Sequence, residues 1–172
     1  LAVAATKSYS SELLHGQLLV DAMLGEQAPA HLANEAQRII SDAQGRIEKA
    51  TSLHLATDIV VLGRGYSLAN ALELSLKIKE TSLVNVPANS TAEYLHGPIA
   101  ALKESSSVIF LAPSGQDYSV IEPTVERVRA ITKNIYWIGS SAYCAEGETY
   151  LGGSSIDHES YSCLLDSAVL QL

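Results

Sequence analysis

The sequence predicts an α/β fold in which a parallel sheet of about five strands has helices on both faces. Short apolar segments rich in β-branched residues alternate along the chain with longer segments whose apolar residues recur at helical spacing. This alternation is typical of βαβ units. The short segments do not alternate apolar with polar residues, which indicates strands that are buried on both faces.

The first third of the chain is mainly helical. Leucines at helical spacing predict a first helix, and Gly25 suits its C-terminus. Pro29 is typical of a helix start and opens a second long helix. A short apolar strand then leads through a glycine pair into a third helix. The predicted elements are helices over residues 6–24, 29–52 and 67–83 and a strand over residues 58–62.

The rest of the chain continues the alternation of strands and helices. Proline, glycine and serine follow two of the apolar runs and predict where those strands end. Residues 147–155 are rich in turn formers, so we expect the fifth strand to begin near Ile156. The other predicted elements are strands over 83–87, 107–112 and 134–139, a helical turn over 91–95, and helices over 119–132 and 161–172.

Composition limits the classes of partner. The 172 residues carry a net charge of −8, which argues against a nucleic acid or an anionic membrane as partner. No apolar run reaches the roughly 18–20 residues of a membrane span, and we expect no signal peptide because no basic leader precedes the first apolar residues. Cys144 and Cys163 are too few for a disulfide framework, so we expect reduced thiols and a cytoplasmic location.

One face of the third predicted helix carries an acid, a base and an acid. Glu73, Lys77 and Glu80 stand at i, i+4 and i+7, so they share roughly 60° of the helix surface. A carboxylate beside a lysine can stay ionised while partly desolvated, which suits a general base, and Glu80 is the candidate. The alternative is a solvated row of ion pairs.

A histidine in a stiff loop is the second candidate. His96 directly precedes Gly97-Pro98, and a histidine can transfer protons near neutral pH. The alternative is a loop histidine that hydrogen-bonds a backbone carbonyl group.

Four loops should lie at the carboxyl edge of the sheet, where open α/β sheets bind ligands. Their small and hydroxyl residues, beside helix N-termini, favour an anion such as phosphate, although the same residues are ordinary in turns. We predict no metal site, because Asp157-His158-Glu159 has no second ligand group at matching spacing. The four loops are Gly63-Arg64-Gly65, Ala88-Asn89-Ser90, Pro113-Ser114-Gly115 and Gly139-Ser140-Ser141.

Taken together, these motifs resemble a known family. The helix motif ELSLKIKE, which ends at Glu80, and the loop motif AEYLHGP, which contains His96, resemble the second sugar-isomerase (SIS) domain of the glucosamine-6-phosphate synthase family. Leu62-Gly63-Arg64-Gly65 is similar too. The segment VAATKSY, over residues 3–9, resembles the connector between the two SIS domains of that family. The resemblance extends to about residue 140, and the combination of motifs is what makes it specific.

The resemblance implies a SIS-type three-layer sandwich with a five-stranded parallel sheet. It implies a single SIS domain over residues 1–172, with a connector and flanking helices over 1–52 and an α/β core over 57–172. We expect this domain to be the C-terminal half of a longer protein with two SIS domains, and its C-terminal tail to be truncated here.

The resemblance also implies roles for individual residues. Glu80 would move a proton between C1 and C2 of an open-chain hexose 6-phosphate or amino-sugar phosphate, with Lys77 as its ionic neighbour. His96 would assist ring opening in the active site of the partner subunit of a homodimer. Val3 and Ala5 would line the sugar site through their backbones. No cofactor is implied, and further candidate substrate contacts are Gly63, Arg64, Glu73 and Glu93.

Three classes of function stay open at this point. Ala5 and Tyr94 depart from residues common in the synthases, which favours a relative such as a deaminase, a deglycase or a ketose/aldose isomerase. A second reading is a non-catalytic sugar-phosphate sensor or dimerisation module, but no basic or helix-turn-helix segment supports a DNA-linked sensor. A third possibility is a structural half of a larger protein that folds and dimerises through its leucine-rich helices without binding a ligand on its own. Of the three classes, we expect an enzyme.

Overall fold

The computed structural model describes residues 6–56 and 58–171. Within them, five parallel strands form a sheet whose spatial order is β2-β1-β3-β4-β5. This confirms the predicted fold class. The strands are β1 (Ile59–Gly63), β2 (Ala88–Ser90), β3 (Ser107–Ala112), β4 (Asn134–Gly139) and β5 (Thr149–Gly152).

Helices cover both faces of this sheet. The start of the first helix and the whole of β3 and β4 lie where the sequence predicted them, within one residue. The described helices are α1 (Lys7–Leu24), α2 (Leu32–Ser41), α3 (Ala43–Ala50), α4 (Ser67–Ser82), α5 (Thr91–Tyr94), α6 (Glu122–Arg129) and α7 (Glu159–Val169).

Each face of the sheet has its own core. On one face, Phe110 of β3 and Trp137 of β4 pair in register and stack with ring centroids 4.8 Å apart, beneath α5 and α6. On the other face, Ile109 and Ile138 pack against α4 and the end of α7. Every residue of β3 is buried, as the lack of alternation in its sequence predicted.

Two strand predictions are wrong. Residues 83–87 form no strand, because Leu83 takes a left-handed conformation (φ 58°) that ends α4 and Pro87 has no N–H to donate. The strand is Ala88–Ser90, which we had expected to be a loop, and Ala88 pairs with Val61. The fifth strand is Thr149–Gly152 and does not begin at Ile156.

The fifth strand forms in a turn-rich segment because its side chains reach both cores. Tyr150 packs against the core that contains Trp137, and Leu151 is buried in the core on the other face. Ile156 is instead buried among α2 and α7. Two helix predictions are too long: the second predicted helix breaks between α2 and α3 at Asp42, and α6 covers only the middle of residues 119–132.

Candidate functional site

The acidic and basic side chains of α4 lie together, as the helical spacing predicted. Lys77 Nζ is 3.2 Å from Glu73 Oε1 and 3.1 Å from Glu80 Oε2. The side chains of Lys77 and Glu73 are 10% and 11% exposed, whereas that of Glu80 is 31% exposed. Glu80 is therefore the member of this array that a ligand can reach most easily.

The array holds one cation between two carboxylates. Burial acts to lower the pKa of Lys77, but its interactions with Glu80 and Glu73 outweigh this effect, so the pKa is raised. Lys77 thus stays protonated near neutral pH. Glu73 Oε1 is buried, and its contact with Lys77 lacks hydrogen-bond alignment, so this oxygen can still accept a hydrogen bond.

The start of α1 lies beside the same face of α4. Tyr9 Oη donates a 2.7 Å hydrogen bond to Asn70 Oδ1, and Asn70 Nδ2 donates to the Cys163 carbonyl at 2.8 Å. Burial first, and then the neighbouring Cys163 and Glu73, raise the pKa of Tyr9. The sequence gives no sign of this bridge, because Tyr9 and Asn70 are 61 residues apart and belong to no shared motif.

The other predicted site residues are not brought into contact with this array. His96 and Glu93 are exposed at the turn after β2, where His96 N donates to the Glu93 carbonyl at 3.0 Å. In the described residues, no hydrogen bond or ion pair links either side chain to α4. Val3 and Ala5 lie outside the described residues.

Gly63 and Arg64 form the turn that starts α4. A Cβ on Gly63 would lie 2.5 Å from the Ser67 carbonyl oxygen, so the helix can begin this close to β1 only after a glycine. Ser67 Oγ accepts from Arg64 N at 2.9 Å and donates to Arg64 O at 2.8 Å. Because α4 rises about 1.5 Å per residue, this turn lies roughly 20 Å from Glu80.

At the carboxyl edge of the sheet, where the sequence predicts an anion site, several N–H and O–H groups already form hydrogen bonds within the chain. Ser114 N donates to Ser162 Oγ at 2.9 Å, and Ser114 Oγ donates to the Ser154 carbonyl at 2.8 Å. Ser140 N donates to the Ala112 carbonyl at 2.7 Å. Two of the N–H groups proposed for a phosphate therefore already have partners.

Among the described residues, no ion pair joins a cation to Asp166, a buried acid near this edge. Asp166 accepts hydrogen bonds from Ser154 N at 2.6 Å and from Ser162 Oγ at 3.4 Å. Burial raises its pKa to about 7, although these hydrogen bonds act in the opposite direction. Asp166 thus differs from Glu80, whose lysine neighbour is within 3.1 Å.

A cavity of about 850 Å³ lies on another face of α4 and does not reach the charged array. Apolar side chains of α4, the sheet and the last turn of α7 dominate its lining, including Ile78, Ile109 and Leu170. Among the described residues of that lining, Arg46 is the one that is charged. A mainly apolar cavity does not provide the donors that a sugar phosphate needs.

In the described part of the chain, no three or more His, Cys, Asp or Glu side chains converge as a metal site would require. Among those same residues, no helix is both long and apolar enough to cross a membrane.

Sequence comparisons place the chain among proteins of one domain type. A family model described as the SIS domain matches residues 52–141. The chain is 31% identical over 143 residues to the isomerizing glutamine–fructose-6-phosphate aminotransferase of Methanothermobacter thermautotrophicus, covering 81% of this chain and 24% of that protein. The Vibrio parahaemolyticus aminotransferase is 29% identical over 175 residues, covering 93% and 28%. The chain thus spans about a quarter of these relatives.

Solved structures have the same fold. The C-terminal domain of the glucosamine-fructose-6-phosphate aminotransferase from Francisella tularensis superposes with a TM-score of 0.83 at 17% identity, over 98% of this chain and 52% of that one. Glucosamine-6-phosphate deaminase from Thermotoga maritima gives a TM-score of 0.74 at 26% identity, over 99% of this chain and 50% of that one.

Proposed function

We infer the function from the premise that this chain belongs to the SIS domain family, whose model matches residues 52–141. We propose that it binds a hexose 6-phosphate or an amino-sugar phosphate as part of an isomerase, aminotransferase or deaminase. The observation that carries this proposal is the array on α4, in which the partly exposed Glu80 is paired with the buried Lys77 at 3.1 Å. The substrate class follows relatives named as enzymes of fructose 6-phosphate and glucosamine 6-phosphate.

Glu80 is the proposed base. Its carboxylate removes a proton from the carbon next to the sugar carbonyl, the carbonyl oxygen gains a proton from solvent, and an enediol or enolamine forms. The protonated Glu80 then returns its proton to the former carbonyl carbon. The hydroxyl or amino group on the first carbon gives up a proton to solvent as its new C=O or C=N bond forms, which completes a shift between C1 and C2. Lys77 pairs with this carboxylate at 3.1 Å, and Glu73 lies 3.2 Å from the same lysine.

Residues outside the array on α4 have further proposed roles. The exposed His96 assists ring opening in the site of a partner subunit, with Glu93 beside it, in a homodimer with shared active sites. The backbones of Val3 and Ala5 line the sugar, consistent with the start of α1 lying next to α4 at Tyr9. Gly63 and Arg64 are proposed to act on the site by starting α4, since they lie at the far end of this helix from Glu80.

The domain assignment is part of the same proposal. We propose that residues 1–172 form the second SIS domain of a longer protein, with the other half and a C-terminal tail supplying further substrate contacts. This agrees with the coverage of the relatives: the chain spans about a quarter of the aminotransferase sequences and about half of the two solved structures.

Deuterium uptake from D₂O into fructose 6-phosphate and glucosamine 6-phosphate, followed by NMR, tests the proton transfer. Glu80→Gln keeps the shape of the side chain but removes the base, so we expect exchange to fall by about 10²-fold or more. Glu104→Gln is the matched control, because Glu104 is an exposed carboxylate outside α4 and should exchange as the wild type does.

One result would contradict the proposal: exchange by Glu80→Gln at the wild-type rate would exclude Glu80 as the base. If the wild-type chain alone gives no exchange, the same comparison is made in the full-length protein, which supplies the other half proposed above.

A further inference from the structure

The apolar cavity beside α4 has a buried arginine in its lining. Arg46 of α3 is 8% exposed, and its Nη2 donates a hydrogen bond to the Ile39 carbonyl oxygen. Its Nε is buried and has no hydrogen-bond partner among the described residues. None of the ion pairs that these residues form includes Arg46, and Asp42, four residues earlier, pairs with Arg38 at 3.2 Å instead.

The environment of this arginine favours an anion beside it. Burial lowers the pKa of Arg46 below its usual range, and the charge of Asp42 offsets this effect only in part. A buried charge is costly unless it is paired, and a guanidinium does not lose its proton in a protein. Gly152 leaves room for the side chain, because an added Cβ there would lie 2.7 Å from Arg46 Cδ. The fold therefore accommodates a cation that the described ion pairs leave uncompensated.

The rest of the cavity suits an apolar molecule. Ile109, Ile138 and Leu151, which are 2–6% exposed, lie in its lining and belong to the sheet. Ile47 and Val84 line it too and are 50% and 42% exposed, so the cavity opens to solvent beside them. Its volume of about 850 Å³ is within the range of small-molecule sites.

We propose that this cavity binds an amphipathic monocarboxylate. Its carboxylate pairs with the Arg46 guanidinium, whose planar fork matches a carboxylate, and its alkyl chain lies against the apolar lining. Thr51 and Ser82 supply the hydroxyl groups of the described lining, which are too few for a sugar or a polyanion. The inference does not depend on the proposed catalytic function, because the cavity does not reach the charged array on α4.

Titration of the ¹⁵N-labelled chain with hexanoate, octanoate and decanoate, each below its micelle concentration, tests the site by NMR. The largest shift changes should fall on the residues that line the cavity. Affinity should rise about fourfold for each added methylene that the cavity buries. Octanoate should bind at least tenfold more tightly than 1-octanol, which has the same number of carbons and no charge.

Variants separate the charged part of the site from the apolar part. Arg46→Met keeps an unbranched side chain but removes the charge, so it should weaken octanoate at least tenfold and leave 1-octanol unchanged. Arg127→Met is the matched control, because Arg127 is an exposed arginine on α6 and is absent from the lining. Ile78→Trp fills part of the cavity without altering Arg46 and should weaken both ligands.

Several results would overturn the proposal. They are equal affinities of the wild type for octanoate and 1-octanol, an octanoate preference that survives Arg46→Met, and octanoate binding that Ile78→Trp leaves unchanged. The full-length protein distinguishes a ligand site from a cavity that another part of that protein fills. Octanoate binding with the same preference there would support the proposal, whereas its loss would assign the cavity to a protein segment and overturn the proposal.

Discussion

The polar face of α4 and the carboxyl edge of the sheet differ in what their polar groups are bonded to. On α4, Lys77 is shared between two carboxylates, and Glu80 remains partly exposed. At the carboxyl edge, Ser114 and Ser140 use their N–H groups within the chain. A loop composition that suits an anion therefore does not make an anion site unless the N–H groups stay unbonded.

The comparison separates two roles within one domain. The carboxyl edge joins strands to the helices above them and fixes where α4 begins. The far end of α4 then presents the groups that we propose for proton transfer. Variants in the two regions test this division of roles, and we expect the largest effect at the carboxyl edge.

Gly139→Ala should disrupt the carboxyl edge most strongly. Gly139 has φ 117°, and an added Cβ would overlap the carbonyl oxygen of Ala112 in β3. We expect a loss of about 4 kcal/mol in the free energy of unfolding, measured by urea denaturation. Gly45→Ala is the control: Gly45 lies in α3 with nothing within 4 Å of an added Cβ, so that change should stabilise the chain. Equal stability of both variants would mean that the edge is not tightly packed.

Lys77→Met should break the array on α4. It leaves Glu73 and Glu80 beside each other without a cation, which we expect to cost about 3 kcal/mol near neutral pH. The same change in a Glu73→Gln, Glu80→Gln background should cost much less, because no carboxylate is then left without its cation. Urea denaturation of these variants measures this, with the exposed Lys79→Met as control. An equal loss with and without the two carboxylates would argue against the ion-paired array.

Asp166→Asn tests a buried acid that, unlike Glu80, forms no ion pair with any described residue. Burial raises the folded-state pKa of Asp166 from 3.8 to about 7. The unfolded chain releases this proton first, so the contribution of Asp166 to stability falls as the pH rises from about 4 to about 7. Asparagine cannot ionise, and we expect Asp166→Asn to be about 2 kcal/mol more stable than the wild type at pH 8.

The measurement for Asp166 is the free energy of unfolding across this pH range. Asp157→Asn, an exposed aspartate before the same helix, should follow the wild-type profile. A wild-type profile that Asp166→Asn leaves unchanged would show that Asp166 ionises in the folded state as easily as in the unfolded chain.

Tyr9→Phe should give the smallest effect, at the boundary between α1 and α4. It removes the donor to Asn70 Oδ1, and Asn70 is 1% exposed, so an acceptor is left buried without a partner. We expect a loss of about 1 kcal/mol by thermal denaturation. Tyr66→Phe, at a tyrosine that is 60% exposed, should cost almost nothing, and an equal loss in both variants would argue against the bridge.

The sequence predicted correctly those elements whose formation depends mainly on the residues within them. The buried strands β3 and β4 and the array on α4 follow from local composition and helical spacing, and the structure confirms both. β2 and β5 were misplaced because three or four residues become a strand only through pairing with β1 and β4. Local propensity does not encode that pairing.

The candidate site shows the same division. Glu73, Lys77 and Glu80 could be grouped from their spacing, because one helix carries all three. The bridge from Tyr9 to Asn70 and the burial of Asp166 could not, because they depend on how α1 and α7 pack against distant parts of the chain. The roles of His96, Val3 and Ala5 remain predictions.

Amide chemical shifts of the ¹⁵N-labelled chain, titrated with fructose 6-phosphate and separately with inorganic phosphate, test most directly where the sugar phosphate binds. The largest changes with the sugar phosphate should fall on residues 73–80 of α4 and on the start of α1, and phosphate alone should produce much smaller ones. Changes confined to residues 63–65, 113–115 and 139–141, with none on α4, would contradict the account and return the site to the carboxyl edge of the sheet.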